Sequence, residues 1–140
     1  MYRIEKRFTL PIGHRLSKHK GRCFSFHGHN FVVLVGIKSE ILNENDMVMD
    51  FSDLNAVVEG FLDRFDHCTL LNETDAKIGN QLKELGTRVI LVDHDPTAEK
   101  LSEIIYRNIK ETLEVMYPLV EMDYVIVYEN EKYKATYSED

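Results

Sequence analysis

The stretch His29-Asn30-Phe31-Val32-Val33-Leu34-Val35-Gly36-Ile37-Lys38 decides the fold. Its apolar, mostly β-branched residues follow one another without polar alternation, so the strand it predicts turns neither face to water. Burial on both faces points to a helix layer on one side and to a partner chain on the other. Upstream, Tyr2, Ile4, Phe8 and Leu10 alternate with polar residues and predict a half-buried strand that ends at Pro11.

Downstream the period changes. Phe51, Leu54, Val57, Val58, Phe61, Leu62 and Phe65 recur at helical spacing, with Asp50 placed to cap the first turn. A second helix is predicted from Pro96 to Met116, with Leu101, Ile104, Ile105, Ile109, Leu113 and Met116 on its apolar face. Asp95 is its expected N-cap and Pro96 its first residue. Between the helices Cys68-Thr69-Leu70-Leu71-Asn72 suits a turn, and Thr87 to Val92 is a short β-like run. Tyr124 to Glu129 and Tyr133 to Tyr137 close the chain as a hairpin around Asn130-Glu131-Lys132. The sum is one α+β domain over residues 1–140. Its sheet is antiparallel and four-stranded, two helices lie on one face, and the order is ββααββ with a short extra strand between the helices. Such a sheet has open edges, which favour a homo-oligomer.

Composition narrows the setting. With 140 residues, 44% of them hydrophobic, the chain can build a real core. No apolar run approaches the roughly 18 residues of a membrane span, and the start Met1-Tyr2-Arg3-Ile4-Glu5-Lys6 lacks the apolar stretch of a signal peptide. A soluble, cytoplasmic protein with Cys23 and Cys68 reduced is expected. A net charge of −7 argues against a nucleic-acid partner. The basic residues are nevertheless clustered: Arg15, Lys18, His19, Lys20 and Arg22 form a locally positive loop suited to a small anion, or else a solvated loop with no specific task.

That loop runs into Cys23-Phe24-Ser25-Phe26-His27-Gly28-His29. On a strand His27 and His29 point the same way, about 6.6 Å apart at the backbone, a span that two imidazoles can close around one ion. A catalytic zinc site takes three protein ligands and keeps an open position, and His14 is the nearest good third candidate. Farther on, Asp66-His67 joins a carboxylate to an imidazole for proton transfer if a turn brings them together. The plainer reading is a helix C-terminus where His67 favours the dipole. Cys68 reads as a small buried residue, and His19 and His94 as solvated ones. Glu129, at the end of Tyr124-Val125-Ile126-Val127-Tyr128, is either a solvent-facing strand terminus or a carboxylate that accepts paired N–H bonds from a guanidine-like edge.

Together these pieces resemble the 6-pyruvoyl-tetrahydropterin synthase superfamily, in particular its 6-carboxy-tetrahydropterin synthase branch of queuosine and deazapurine synthesis. The resemblance runs over nearly the whole chain through Gly13-His14-Arg15-Leu16, Cys23, His27-Gly28-His29 and Met49-Asp50-Phe51-Ser52-Asp53-Leu54. It continues through Phe65-Asp66-His67, Pro96-Thr97-Ala98-Glu99 and Val127-Tyr128-Glu129. Three residues between Cys23 and His27 is the spacing of the carboxy branch, while Phe24-Ser25-Phe26 is more apolar than that branch's usual fillers. The resemblance implies zinc on His14, His27 and His29, with Cys23 as catalytic thiol and Asp66 with His67 as proton-transfer pair. It also implies Glu129 on the pterin's amino-pyrimidine edge and Thr97 near the pterin pocket. Arg15 and Lys20 are the first candidates for a triphosphate. The implied fold is the tunnelling fold, a hexamer with active sites between subunits. The implied reaction is a lyase reaction taking 7,8-dihydroneopterin triphosphate to 6-carboxy-5,6,7,8-tetrahydropterin, with loss of triphosphate and acetaldehyde. The alternatives are a pyruvoyl product or cleavage of dihydroneopterin and, from another class, a non-catalytic zinc-containing pterin-binding oligomer. A structural zinc would take Cys23 as its fourth ligand.

Overall fold

The computed structural model describes residues 1–140, and two long strands form its centre. β1 (Tyr2–His14) and β2 (His27–Ser39) pair antiparallel from end to end, Tyr2 opposite Ser39 and His14 opposite His27. β5 (Glu121–Tyr128) extends the sheet beside β2, and β6 (Lys134–Tyr137) closes the hairpin expected at the C-terminus. Its turn is tied by Asn130 Oδ1, which accepts from the amides of Lys132 and Tyr133.

Two expectations about the strands need correction. The sheet has six strands in the order β4-β3-β1-β2-β5-β6, not four, and it is mixed. Cys68-Thr69-Leu70-Leu71-Asn72 is the strand β3 (Cys68–Asn72), parallel to β1, and the run before Asp93 supplies β4 (Val89–Val92), parallel to β3. A segment this short, apolar on two successive residues, carries no strand period, and parallel strands buried on both faces read that way. The second correction concerns Pro11, which does not end β1. The Pro11 carbonyl accepts from the His67 amide, so its missing N–H also faces the β3 side, where pairing begins only at Ile12. The proline therefore deletes no ladder bond.

The helices are three. α1 (Phe51–Leu62) starts at Asp50, whose Oδ1 accepts from the Ser52 amide at 2.8 Å. α3 (Ala98–Met116) starts two residues after Pro96, and Thr97 is its N-cap in place of Asp95, with Oγ1 accepting from the Lys100 amide. α2 (Ala76–Glu84) was not expected, because its nine residues include a glycine and only Ile78 and Leu82 as large apolar side chains. α1 and α3 cover one face of the sheet. There Leu10, Phe31, Val33, Val125 and Val127 meet Leu54, Val58, Leu101, Ile105 and Ile109 in one core, each fully buried. Each such side chain stabilises the fold by about 1.5–3 kcal/mol relative to exposure. α2 lies on the other face at the β3–β4 end, where a Cβ on Gly79 would come within 3.1 Å of Leu91. Elsewhere that face leaves Val32, Leu34 and Ile126 half-buried. No helix is long and apolar enough to cross a membrane.

Candidate metal centre and active site

Pairing of His14 with His27 at the end of the central ladder, with His29 two residues on, places all three imidazoles on the helix-covered face. Phe31 continues that row and forms their floor, its ring centroid 5.6 Å from His14 and 5.4 Å from His29 in edge-on contacts. His14 is fully buried at 1% exposure, and the other two are half-buried.

The hydrogen bonds fix how these rings are protonated. His14 Nδ1 lies 2.9 Å from the Pro96 carbonyl and His27 Nδ1 lies 2.7 Å from the Ser25 carbonyl. A carbonyl only accepts, so each Nδ1 carries the proton and, in a neutral ring, each Nε2 carries a lone pair. Yet the two Nε2 atoms face each other at 2.9 Å. Two lone pairs at that distance repel unless a proton or a cation lies between them. His29 Nε2 is buried without a hydrogen-bond partner, although Glu129 Oε1 lies 3.2 Å away. The same carboxylate oxygen is 3.6 Å from His14 Nε2. His14, His27, His29 and Glu129 thus each offer one donor atom, all within 4.8 Å of one another. Three imidazoles and a carboxylate, with outer hydrogen bonds fixing two tautomers, fit a divalent ion such as zinc. Burial holds His14 below the ordinary imidazole value against the pull of the Pro96 carbonyl, and His27 and His29 push it further down. Burial also lowers His29, against the pull of Glu129. Neutral rings are the state that ligates.

Cys23 is half-exposed on a 3-10 turn, Arg22–Phe24, and its sulfur is not among the four donors. Glu129 is, which extends the expectation for that residue. Asp66 and His67 follow α1 in a turn, as their pairing requires: His67 adopts φ +57° and its Nδ1 lies 2.7 Å from Asp66 Oδ1. Arg88 fixes this turn from the side, donating to the carbonyls of Asp63, Arg64 and Asp66. The His67 side chain is 76% exposed, so within one subunit the pair faces solvent, apart from the histidine cluster.

Thr97 spends its hydroxyl on the α3 cap, and its neighbour Pro96 supplies the His14 partner. Lys20 is exposed in the basic loop. Arg15 is not free: its Nη2 donates to Asp75 Oδ1 at 3.2 Å. His19 accepts from the Gly21 amide and His94 contacts the Asp95 carbonyl, so neither joins the cluster. Cys68 is buried at 2% exposure, and burial pushes its thiol up to about 11.

Two residues that the motifs did not single out as site residues organise the loop before Cys23. Asp95 accepts from the Ser17 and Lys18 amides, the Ser17 hydroxyl and Asn72 Nδ2. Burial works to raise its carboxyl, but these hydrogen bonds outweigh burial and hold it below the usual range. Asp75, 7% exposed, does the same service for Arg15. Their only signal in the sequence is an acidic residue opposite a basic loop, which no spacing rule pairs.

A family model described as 6-pyruvoyl tetrahydropterin synthase matches residues 3–140. The 6-carboxy-5,6,7,8-tetrahydropterin synthase of Haemophilus influenzae is 32% identical over 117 residues, 79% of this chain and 83% of its own length. The enzyme of the same name from Aquifex aeolicus is 29% identical across 99% of both chains. Among solved structures, the 6-pyruvoyl tetrahydropterin synthase of Plasmodium falciparum superposes with a TM-score of 0.73 at 15% identity, covering 97% of this chain and 96% of its own. At that identity the likeness concerns the fold, and it places the curled, helix-backed sheet in the tunnelling class.

Proposed function

Because the chain belongs to the 6-pyruvoyl tetrahydropterin synthase family, we propose that it converts 7,8-dihydroneopterin triphosphate and one water to 6-carboxy-5,6,7,8-tetrahydropterin, triphosphate and acetaldehyde. This is a lyase reaction that serves queuosine and deazapurine synthesis. The observation that carries the reading is the pair of Nε2 atoms converging at 2.9 Å beside His29, with Cys23 close in sequence but outside the donor set. A thiol that does not ligate is free to act on carbon.

His14, His27 and His29 would hold zinc, which when bound supplies Lewis-acid polarisation of the substrate's side-chain oxygens. Cys23 takes a carbon-bound proton in this reading. The thiolate is the reactive form of a cysteine, and a neighbouring positive charge favours it. His67, oriented by Asp66, moves the second proton. Since this pair faces solvent in one subunit, it serves the site of a neighbour, as expected of an oligomer, a hexamer by family likeness, whose subunits share their sheets. Glu129 accepts the N–H edge of the amino-pyrimidine, an arrangement that favours a bidentate contact. Thr97, at the start of α3, borders the same pocket. The triphosphate falls to the basic loop, where Lys20 is exposed and Arg15 already has its charge met by Asp75. The protein is cytoplasmic and one domain in this reading.

Incubation of purified protein with dihydroneopterin triphosphate and zinc should yield acetaldehyde and a carboxy-pterin identified by mass. A pyruvoyl product with no acetaldehyde would instead place the chain with the biopterin enzymes. A protein that binds pterin and zinc without turnover would leave only the non-catalytic oligomer.

A further inference from the structure

We propose that Arg15 and Asp75 are positioning residues that hold the loop carrying Cys23, acting through Phe24 and Phe26. The inference rests on the reading of Cys23 as the working thiol. Besides its bond to Asp75 Oδ1, Arg15 has its Nε 3.2 Å from Asp75 Oδ2, close but out of line for a hydrogen bond. The pair is enclosed, with side chains only 16% and 8% exposed. The edge of the guanidinium is therefore neutralised and its flat face remains available. Phe24 covers that face with its ring centroid 4.1 Å from Cζ, and Phe26 approaches to 5.6 Å. Cations over ring faces are attracted by the π cloud, and arginine is the usual partner.

Both phenylalanines are nearly half-exposed, at 46% and 49%. The core does not hold them, so the guanidinium is what fixes their place. They bracket the chemistry: Cys23 immediately precedes Phe24, and the Ser25 carbonyl between them accepts from His27 Nδ1 at 2.7 Å. The Cys23 carbonyl accepts from the amide of Leu16, the residue after Arg15, at 2.8 Å. The segment from Cys23 to Phe26 is thus tied to Leu16 at Cys23 and to Arg15 at Phe24 and Phe26. This accounts for the unusually apolar Phe24-Ser25-Phe26, which supplies the two faces that a neutralised guanidinium can stack against.

The test measures the iodoacetamide alkylation rate of Cys23 against pH, with kcat and KM for dihydroneopterin triphosphate, in Asp75→Asn, Phe24→Ala, Phe24→Tyr and Arg15→Lys proteins. Asp75→Asn and Phe24→Ala should each shift the pH midpoint of alkylation and lower kcat about ten- to hundredfold, as small misplacements of reacting groups do. KM should stay within about twofold, since no substrate contact is removed. Phe24→Tyr keeps a ring face and should restore both readouts. Phe24 is exposed, so its variants serve if Asp75→Asn fails to fold. A normal alkylation profile and kcat in Asp75→Asn and Phe24→Ala would overturn the proposal. So would a raised KM confined to Arg15→Lys, the signature of a phosphate contact. If the unsubstituted protein turns over no substrate, the functional reading fails, while the alkylation profiles still decide the positioning role.

Discussion

Withdrawing and restoring the cation tests the division of labour between the histidines and Cys23. For 140 residues the entropy of unfolding is about 0.3 kcal/mol/K. A cation present at one hundred times its Kd adds about 2.7 kcal/mol, so zinc at that level should raise the Tm of the chelator-treated protein by about 9 °C. The ion would rest on the three converging Nε2 atoms, with Glu129 beside them and the Cys23 sulfur outside the cluster. Calorimetry should therefore show the full rise in Cys23→Ala and little of it in His29→Ala. The pH dependence has a definite sign. Burial lowers the folded-state values of His14 and His29, so the unfolded chain takes up protons there first as pH falls. The metal-free protein should lose stability from about pH 6.5 downward and gain nothing from these rings above it. Loss of the zinc-dependent rise in Cys23→Ala would refute the reasoning, since it would make the sulfur a ligand and the site structural.

Other outcomes follow from single contacts. A Cβ on Gly36 would lie 2.6–2.9 Å from three ring atoms of Tyr124 on the neighbouring strand, so Gly36→Ala should cost about 1–3 kcal/mol in urea unfolding. Gly36→Ala combined with Tyr124→Ala should recover part of that loss. Cys68, buried with its thiol pushed up to about 11, should resist iodoacetamide in the folded protein at pH 8, leaving one reactive equivalent that disappears in Cys23→Ala. His67 holds φ +57°, a region closed to β-branched residues, so His67→Val should lose about 1–2 kcal/mol of stability. His67→Asn should fold normally, and both should lose turnover.

The sequence discloses most where one physical constraint acts alone. The central hairpin was legible because Phe31 to Ile37 has one requirement, burial, and the histidines were legible because period 2 sets His27 and His29 on one face. β3 was not, because Leu70 and Leu71 are both buried, one toward α1 and α3 and one toward α2, and that pattern removes the alternation that identifies a strand. α2 escaped notice because its place is set by packing on Leu71, Val89 and Leu91, not by its own apolar stripe. Within the site, the proximity of Glu129 to the histidines depends on β5 lying beside β2, a pairing about 100 residues apart in sequence that no local pattern encodes. Arg15 read as a free cation for the same reason: its partner Asp75 is the residue before α2, an element that was not visible.

The three imidazoles sit on the first hairpin of the chain, and this orders events during synthesis. The three imidazoles that would hold the ion exist once His29 has been made, whereas Glu129 arrives 100 residues later at the end of β5. At about 5–20 residues per second that interval is roughly 5 to 20 s. A lone two-stranded hairpin is marginal in water, so an ion captured early in that window, before α1 is made, would stabilise the nascent β1–β2 pair while no helix covers it. Metal supply during translation would then bear on the yield of folded protein as well as on its activity.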